Sequence, residues 1–175
     1  MIADNAKVGS SAIARAIVEA YYPDLFNRVI DADATWWHQL APKTAAPDRP
    51  VYVLIRDPVE RFRSAMTQYR LADAGATLAR LEAGDPLALD QHFAPQSPFA
   101  RTGLETHTYR YPDELRRFAA ATGLRWPLAQ INLTRRPKPD LLPAQEERVR
   151  RYYAADVTLW DSVLASPILS NDDRN

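Results

Sequence analysis

One stretch, Val51 to Tyr69 (VYVLIRDPVERFRSAMTQY), constrains this chain most, because it carries the period of a strand and that of a helix with a stop signal between them. Val51, Tyr52, Val53, Leu54 and Ile55 form a short apolar run rich in β-branched residues, as expected of a strand covered on both faces. Asp57 can cap the helix that follows, Pro58 suits its first position, and Glu60 stands where a capping box places a carboxylate. Val59, Phe62, Met66 and Tyr69 recur at helical spacing and predict the buried face. Arg56 is left at the carboxyl end of the strand, where ligands bind in open α/β sheets. It is read either as part of an anion site or as a surface arginine paired with a nearby carboxylate.

A second segment carries similar chemistry. AKVGSSAIARAIVEAYY predicts a helix with Ile13, Ala16, Ile17, Ala20 and Tyr21 on one face, capped by Ser10 or Ser11. Lys7 and Gly9 stand just before it. A glycine that lets the backbone approach, free N–H groups and a positive helix pole together make an anion cradle. The Walker A spacing is absent. The alternative is a capped helix with a solvent lysine.

The rest of the chain supplies alternating elements. Phe26 to Ile30 is expected to be a strand ending at Asp31 and Asp33, followed by a loop with Trp36, Trp37 and His38. A helical pattern runs on past Tyr69, through Ala79 and Leu81, to a turn at Gly84 and Asp85, and Leu87 to Gln91 suggests a short helix. His92 to Gly103 is expected to be a loop. Thr106 to Tyr111 is expected to be a strand, Pro112 the start of a helix ended by Gly123, and Pro143 the start of one final helix. Strands alternating with helices predict an α/β fold, a three-layer sandwich around a mainly parallel sheet. With 175 residues, one domain over 1–170 with a frayed tail at 171–175 is expected.

The 22 basic and 22 acidic residues give zero net charge, which argues against a general nucleic-acid binder. There is no cysteine, so thiol nucleophiles, thiolate metal sites and disulfides are excluded. No apolar run reaches membrane length and no signal-peptide layout is present, so a cytoplasmic protein without membrane partners is expected.

KVGSS opening a helix, then a strand ending in RDPVERFRS, resembles the sulfotransferases that use 3′-phosphoadenosine 5′-phosphosulfate (PAPS), in particular their carbohydrate and heparan-type branch. HFAPQS, TYRYPDELRRFAAATGL and INLTRRPKP with YYAADVTLW resemble later segments of that branch, so the likeness covers nearly the whole chain. It implies a P-loop-like sulfotransferase fold and a short cytoplasmic form. It also implies that Lys7, Gly9, Ser10 and Ser11 hold the 5′-phosphosulfate, that Arg56 and Ser64 hold the 3′-phosphate, and that Thr134 and Arg135 belong to a closing nucleotide loop. The implied reaction is transfer of a sulfuryl group to an acceptor hydroxyl on a sugar or glycan, with Lys7 neutralising the leaving oxygen and no metal taking part. Asp31, Asp33, His38 and, from its loop, His92 are the candidates for the general base. His92 and Trp37 are expected on the acceptor side, Trp37 either stacking on a sugar or filling the core. A catalytically inactive nucleotide-binding or scaffold protein and a nucleotide kinase are the two rival readings.

Overall fold

The apolar run from Val51 does form a strand, β1 (Val51–Arg56), and Val51, Val53, Leu54 and Ile55 are all buried. It pairs in parallel with β2 (Thr106–Tyr111), in a register that sets Val51 against Thr106 and Arg56 against Tyr111. The computed structural model describes residues 10–22, 24, 50–100, 105–128 and 136–164. Among them the chain is α/β, with six α-helices and a two-stranded parallel sheet. The helices are α1 (Ser10–Tyr21), α2 (Pro58–Tyr69), α3 (Ala74–Glu82), α4 (Leu115–Thr122), α5 (Pro143–Tyr152) and α6 (Ala154–Leu164). The strand expected at Phe26 to Ile30, its following loop and the tail at 171–175 lie outside the described residues.

Side-chain alternation along β1 divides the core. Val51, Val53 and Ile55 face Leu159, Trp160 and Val163 of α6. Leu54, with half-buried Tyr52, faces Ile13 and Ala16 of α1 and Phe118 and Ala119 of α4. Helices therefore cover both faces of the sheet, which is why β1 reads as a continuous apolar run. A third cluster joins α2, α3 and α5 through Val59, Phe62, Met66, Leu78, Leu81 and Val149, with Phe93 and Tyr153 filling it.

Local signals fix several ends. The Asp57 carboxylate accepts from the Glu60 N–H at 3.0 Å and Pro58 opens α2. Asp73 caps α3 in the same way, through the Ala76 N–H. Gly123 ends α4 at φ 70°, and the Leu124 N–H closes onto the Ala119 carbonyl, with Leu124 buried beneath. Gly123→Ala forces a Cβ into the left-handed region and is expected to cost about 1 kcal/mol of stability, measured by urea unfolding. No loss would mean that the turn relaxes freely.

Other expectations are corrected. Tyr69 is 39% exposed instead of closing the buried face, because its hydroxyl turns to Asp90. The pattern after Tyr69 does not continue α2: Arg70 adopts φ 56° and stops it, and α3 starts afresh. The short helix at Leu87 to Gln91 is a single 3₁₀ turn, Pro86–Leu89, and a second 3₁₀ turn, Ser97–Ala100, lies within the expected loop. Pro112 sits in a turn before α4, since Glu114 folds back onto the Arg110 N–H. The single last helix is two. Tyr153 leaves helical geometry (φ −101°, ψ 34°), buries its ring and donates to the Phe93 carbonyl at 2.6 Å.

Candidate active site at the carboxyl edge of the sheet

β1 delivers Arg56 to the carboxyl edge, where its guanidinium carbon lies 5.4 Å from the centre of the Tyr111 ring on the neighbouring strand. Only 15% of the side chain is exposed. Burial lowers the Arg56 pKa, and the neighbouring Tyr111, Glu60 and Asp57 work against that shift. The group stays charged. A buried, stacked guanidinium has little freedom left to lose, which suits bidentate capture of an oxyanion.

The peptide groups of Arg56 are fixed by a residue forty positions away. The Arg56 N–H donates to Gln96 Oε1 at 2.9 Å, and Gln96 Nε2 donates to the Arg56 carbonyl at 2.8 Å. Gln96 is 1% exposed. It is anchored in turn by Asp156 in the first turn of α6, whose two oxygens accept the Gln96 and Ser97 N–H groups, each at 2.8 Å. Nearby, buried Arg61 donates to the Gln91 carbonyl at 2.9 Å. Its pKa is lowered by burial, and neighbouring Tyr153 and Asp156 work against that shift. The Gln96–Asp156 clamp has no local sequence signal. Gln96 falls within HFAPQS, yet nothing in that hexapeptide indicates that its amide reaches a strand end.

One turn into α2, Glu60 gathers cations. Its carboxylate lies 3.6 Å from Arg56 Nη2 and accepts from Arg63 Nη1 at 2.8 Å and from Lys138 Nζ at 2.5 Å. Arg63 also donates to the Pro139 carbonyl at 2.8 Å and to Asp140 at 3.1 Å, so residues 138–140 are strapped to α2. Burial raises the Glu60 pKa, but the Lys138 hydrogen bond and the charges of Lys138, Arg63 and Arg56 outweigh it and hold the pKa below the ordinary carboxylate value. The stability Glu60 contributes is thus present above its unfolded pKa and lost as pH falls through the depressed folded one. Glu60 spends its side chain on this cluster, where the capping-box expectation had it turned back on the helix end. Ser64 is half-buried and lies four residues on, on the same helical face as Glu60. Glu60 thus has Arg56 as an ion-pair neighbour and Ser64 one helical turn away.

α1 packs beside α4. β2 ends at the carboxyl edge and α4 begins four residues later, packing back so that Phe118 meets Tyr109 edge-on at 5.7 Å. Glu19 of α1 lies 3.7 Å from Arg125, and Arg15, Ala16 and Glu19 share a cavity of about 220 Å³ with Arg125, Pro127 and Leu128. At 1.5 Å per residue, the Ser10–Ser11 end of α1 stands about 14 Å along the helix from Glu19. α1 packs on the Leu54 side of β1, and strand alternation assigns Arg56 to that same face.

His92 belongs to a different cluster. Its Nδ1 lies 2.8 Å from Asp90 Oδ1 and 3.2 Å from the Tyr69 hydroxyl, which itself donates to Asp90 Oδ2 at 2.6 Å. Burial and then Asp90 push the Tyr69 pKa up to about 12. Burial raises the Asp90 pKa, but hydrogen bonds from Tyr69 and His92 outweigh it and lower it. A carboxylate against Nδ1 orients an imidazole for proton transfer at its other nitrogen. Tyr69 lies twelve residues beyond Asp57, however, so this dyad stands about 18 Å along α2 from the Arg56 end.

Ser10 and Ser11 open α1. Lys7, Gly9, Asp31, Asp33, Trp37, His38, Thr134 and Arg135 lie outside the described residues. Among the described residues no group of three or more His, Cys, Asp or Glu side chains could hold a metal ion, and no helix is long and apolar enough to cross a membrane. No protein-family model, curated protein or solved structure matches the chain.

Proposed function

We propose that the chain is a cytoplasmic PAPS-dependent sulfotransferase on a three-layer, P-loop-like α/β fold, acting on an acceptor hydroxyl of a sugar or glycan. The reading rests on an inference from packing: with α1 on the Leu54 side of β1, its Ser10–Ser11 end is taken to face the same edge of the sheet as the clamped Arg56. That is the arrangement required by a ligand with negative groups at two separate points. Arg56 and Ser64 take the 3′-phosphate, and the positive pole of α1 with Lys7, Gly9, Ser10 and Ser11 takes the 5′-phosphosulfate.

The acceptor oxygen attacks sulfur in line. A new S–O bond forms as the bond to the bridging phosphate oxygen breaks, and adenosine 3′,5′-bisphosphate leaves. Lys7 neutralises the charge growing on that bridging oxygen, and the acceptor proton passes to a base among Asp31, Asp33 and His38. Positioning and charge stabilisation supply most of the rate, as in phosphoryl transfer. The cysteine-free composition suits a reducing compartment.

Incubation of the full chain with ³⁵S-labelled PAPS and a panel of sugar and glycan acceptors tests the proposal. Label transferred to an acceptor, with stoichiometric release of adenosine 3′,5′-bisphosphate, is the expected result. Donor binding without transfer to any acceptor would favour the inactive nucleotide-binding protein, and phosphoryl transfer from ATP would favour the kinase.

A further inference from the structure

Three cations from three parts of the chain converge on one carboxylate: Arg56 from the end of β1, Arg63 from α2 and Lys138 from the segment before α5. The distances from Glu60 are unequal, at 2.5 Å to Lys138, 2.8 Å to Arg63 and 3.6 Å to Arg56, so Arg56 is the partner held beyond hydrogen-bond range. A phosphate that reached Arg56 and Ser64 together would lie alongside Glu60, because residues 60 and 64 share a helical face. Two negative groups would then face one guanidinium.

We propose that Glu60 is an internal competitor of the nucleotide 3′-phosphate for Arg56, and that Lys138 and Arg63 set the strength of that competition by drawing the carboxylate away. The inference rests on the sulfotransferase reading above and deepens it. In the free protein Glu60 partly compensates the buried charge of Arg56. With phosphate present, the Arg56 fork turns to the incoming oxygens, and the Glu60 charge is left to Lys138 and Arg63. Lys138 and Arg63 then shield the phosphate from a like charge. Because Lys138, Pro139 and Asp140 are strapped to α2 by the same contacts, docking of this segment and occupancy of the phosphate position are coupled in both directions. Glu60 thereby narrows the preference for nucleotides that carry a 3′-phosphate. A nucleotide lacking the 3′-phosphate does not displace it and gains nothing from its removal. Lys138 is a positioning residue here, acting on the phosphate only through Glu60.

The test is calorimetric titration of the full chain with adenosine 3′,5′-bisphosphate and with adenosine 5′-monophosphate, which lacks the 3′ group. Glu60→Gln should tighten the bisphosphate about tenfold and leave the monophosphate unchanged. Glu60→Met removes the same charge at similar chain length and should act in the same direction, which keeps the test open if the first variant folds poorly. Lys138→Gln should weaken the bisphosphate several-fold in the native background and have no effect when Glu60 is already Gln. Weaker or unchanged bisphosphate binding in both Glu60 variants would overturn the competition. So would an equal Lys138→Gln loss in both backgrounds, since Lys138 would then touch the phosphate itself. If the native chain binds the bisphosphate and the Glu60 variants bind it no tighter, this inference alone fails. If the native chain does not bind the bisphosphate, the sulfotransferase reading fails with it.

Discussion

Asp156→Ala is expected to lower the unfolding free energy by about 3–6 kcal/mol, from two lost charge-assisted hydrogen bonds of about 1.5–3 kcal/mol each. The carboxylate is 2% exposed and is the acceptor for the Gln96 and Ser97 N–H groups at 2.8 Å. Alanine leaves both donors buried without that acceptor, and it removes the negative charge that supports buried Arg61. The loss is read from urea unfolding as a lower midpoint at unchanged slope. Because Gln96 in turn fixes both peptide groups of Arg56, nucleotide affinity is expected to fall as well. A loss below 1 kcal/mol would mean that another group holds the 96–97 turn.

Arg56→Met is expected to weaken binding of adenosine 3′,5′-bisphosphate by about 1.5–3 kcal/mol, which is about 10–150-fold. Methionine keeps an apolar chain against Tyr111, so the loss reports the missing charge more than missing packing. Arg56→Lys should recover little, because an ammonium cannot form the two parallel hydrogen bonds of a guanidinium. Adenosine 5′-monophosphate should bind native and variant chains alike. Equal bisphosphate affinity in the native and Arg56→Met chains would remove Arg56 from the phosphate site.

Much of the frame around Arg56 is legible in the sequence, because local rules decide it. The β-branched run of β1, the Asp57 cap, Pro58 and the spacing of Val59, Phe62 and Met66 all agree on one answer. Gly123 marks the end of α4 for the same reason. The misreadings arise where distant contacts override local pattern. A helical period continues through Tyr153, but burial of its ring in the Phe93 cluster and its hydrogen bond to the Phe93 carbonyl draw that residue out of the helix. Glu60 obeys the capping-box spacing, yet Lys138, far off in sequence, offers its carboxylate a stronger partner. Gln96 and Asp156 are sixty residues apart, and nothing local in either segment announces their meeting. Arg70 is a non-glycine helix stop, invisible to a rule that waits for glycine. Of the candidate site, the place of Arg56 at the end of β1 could be read in advance, whereas the clamp and the cation cluster could not.

The central claim is that the edge carrying Arg56 recognises a nucleotide by its 3′-phosphate. Calorimetric titration of the native chain with adenosine 3′,5′-bisphosphate and, separately, with magnesium ATP tests it most directly. The account predicts saturable one-to-one binding of the bisphosphate and none of ATP over the same concentration range. Failure to bind the bisphosphate, or equal affinity for ATP, would contradict it.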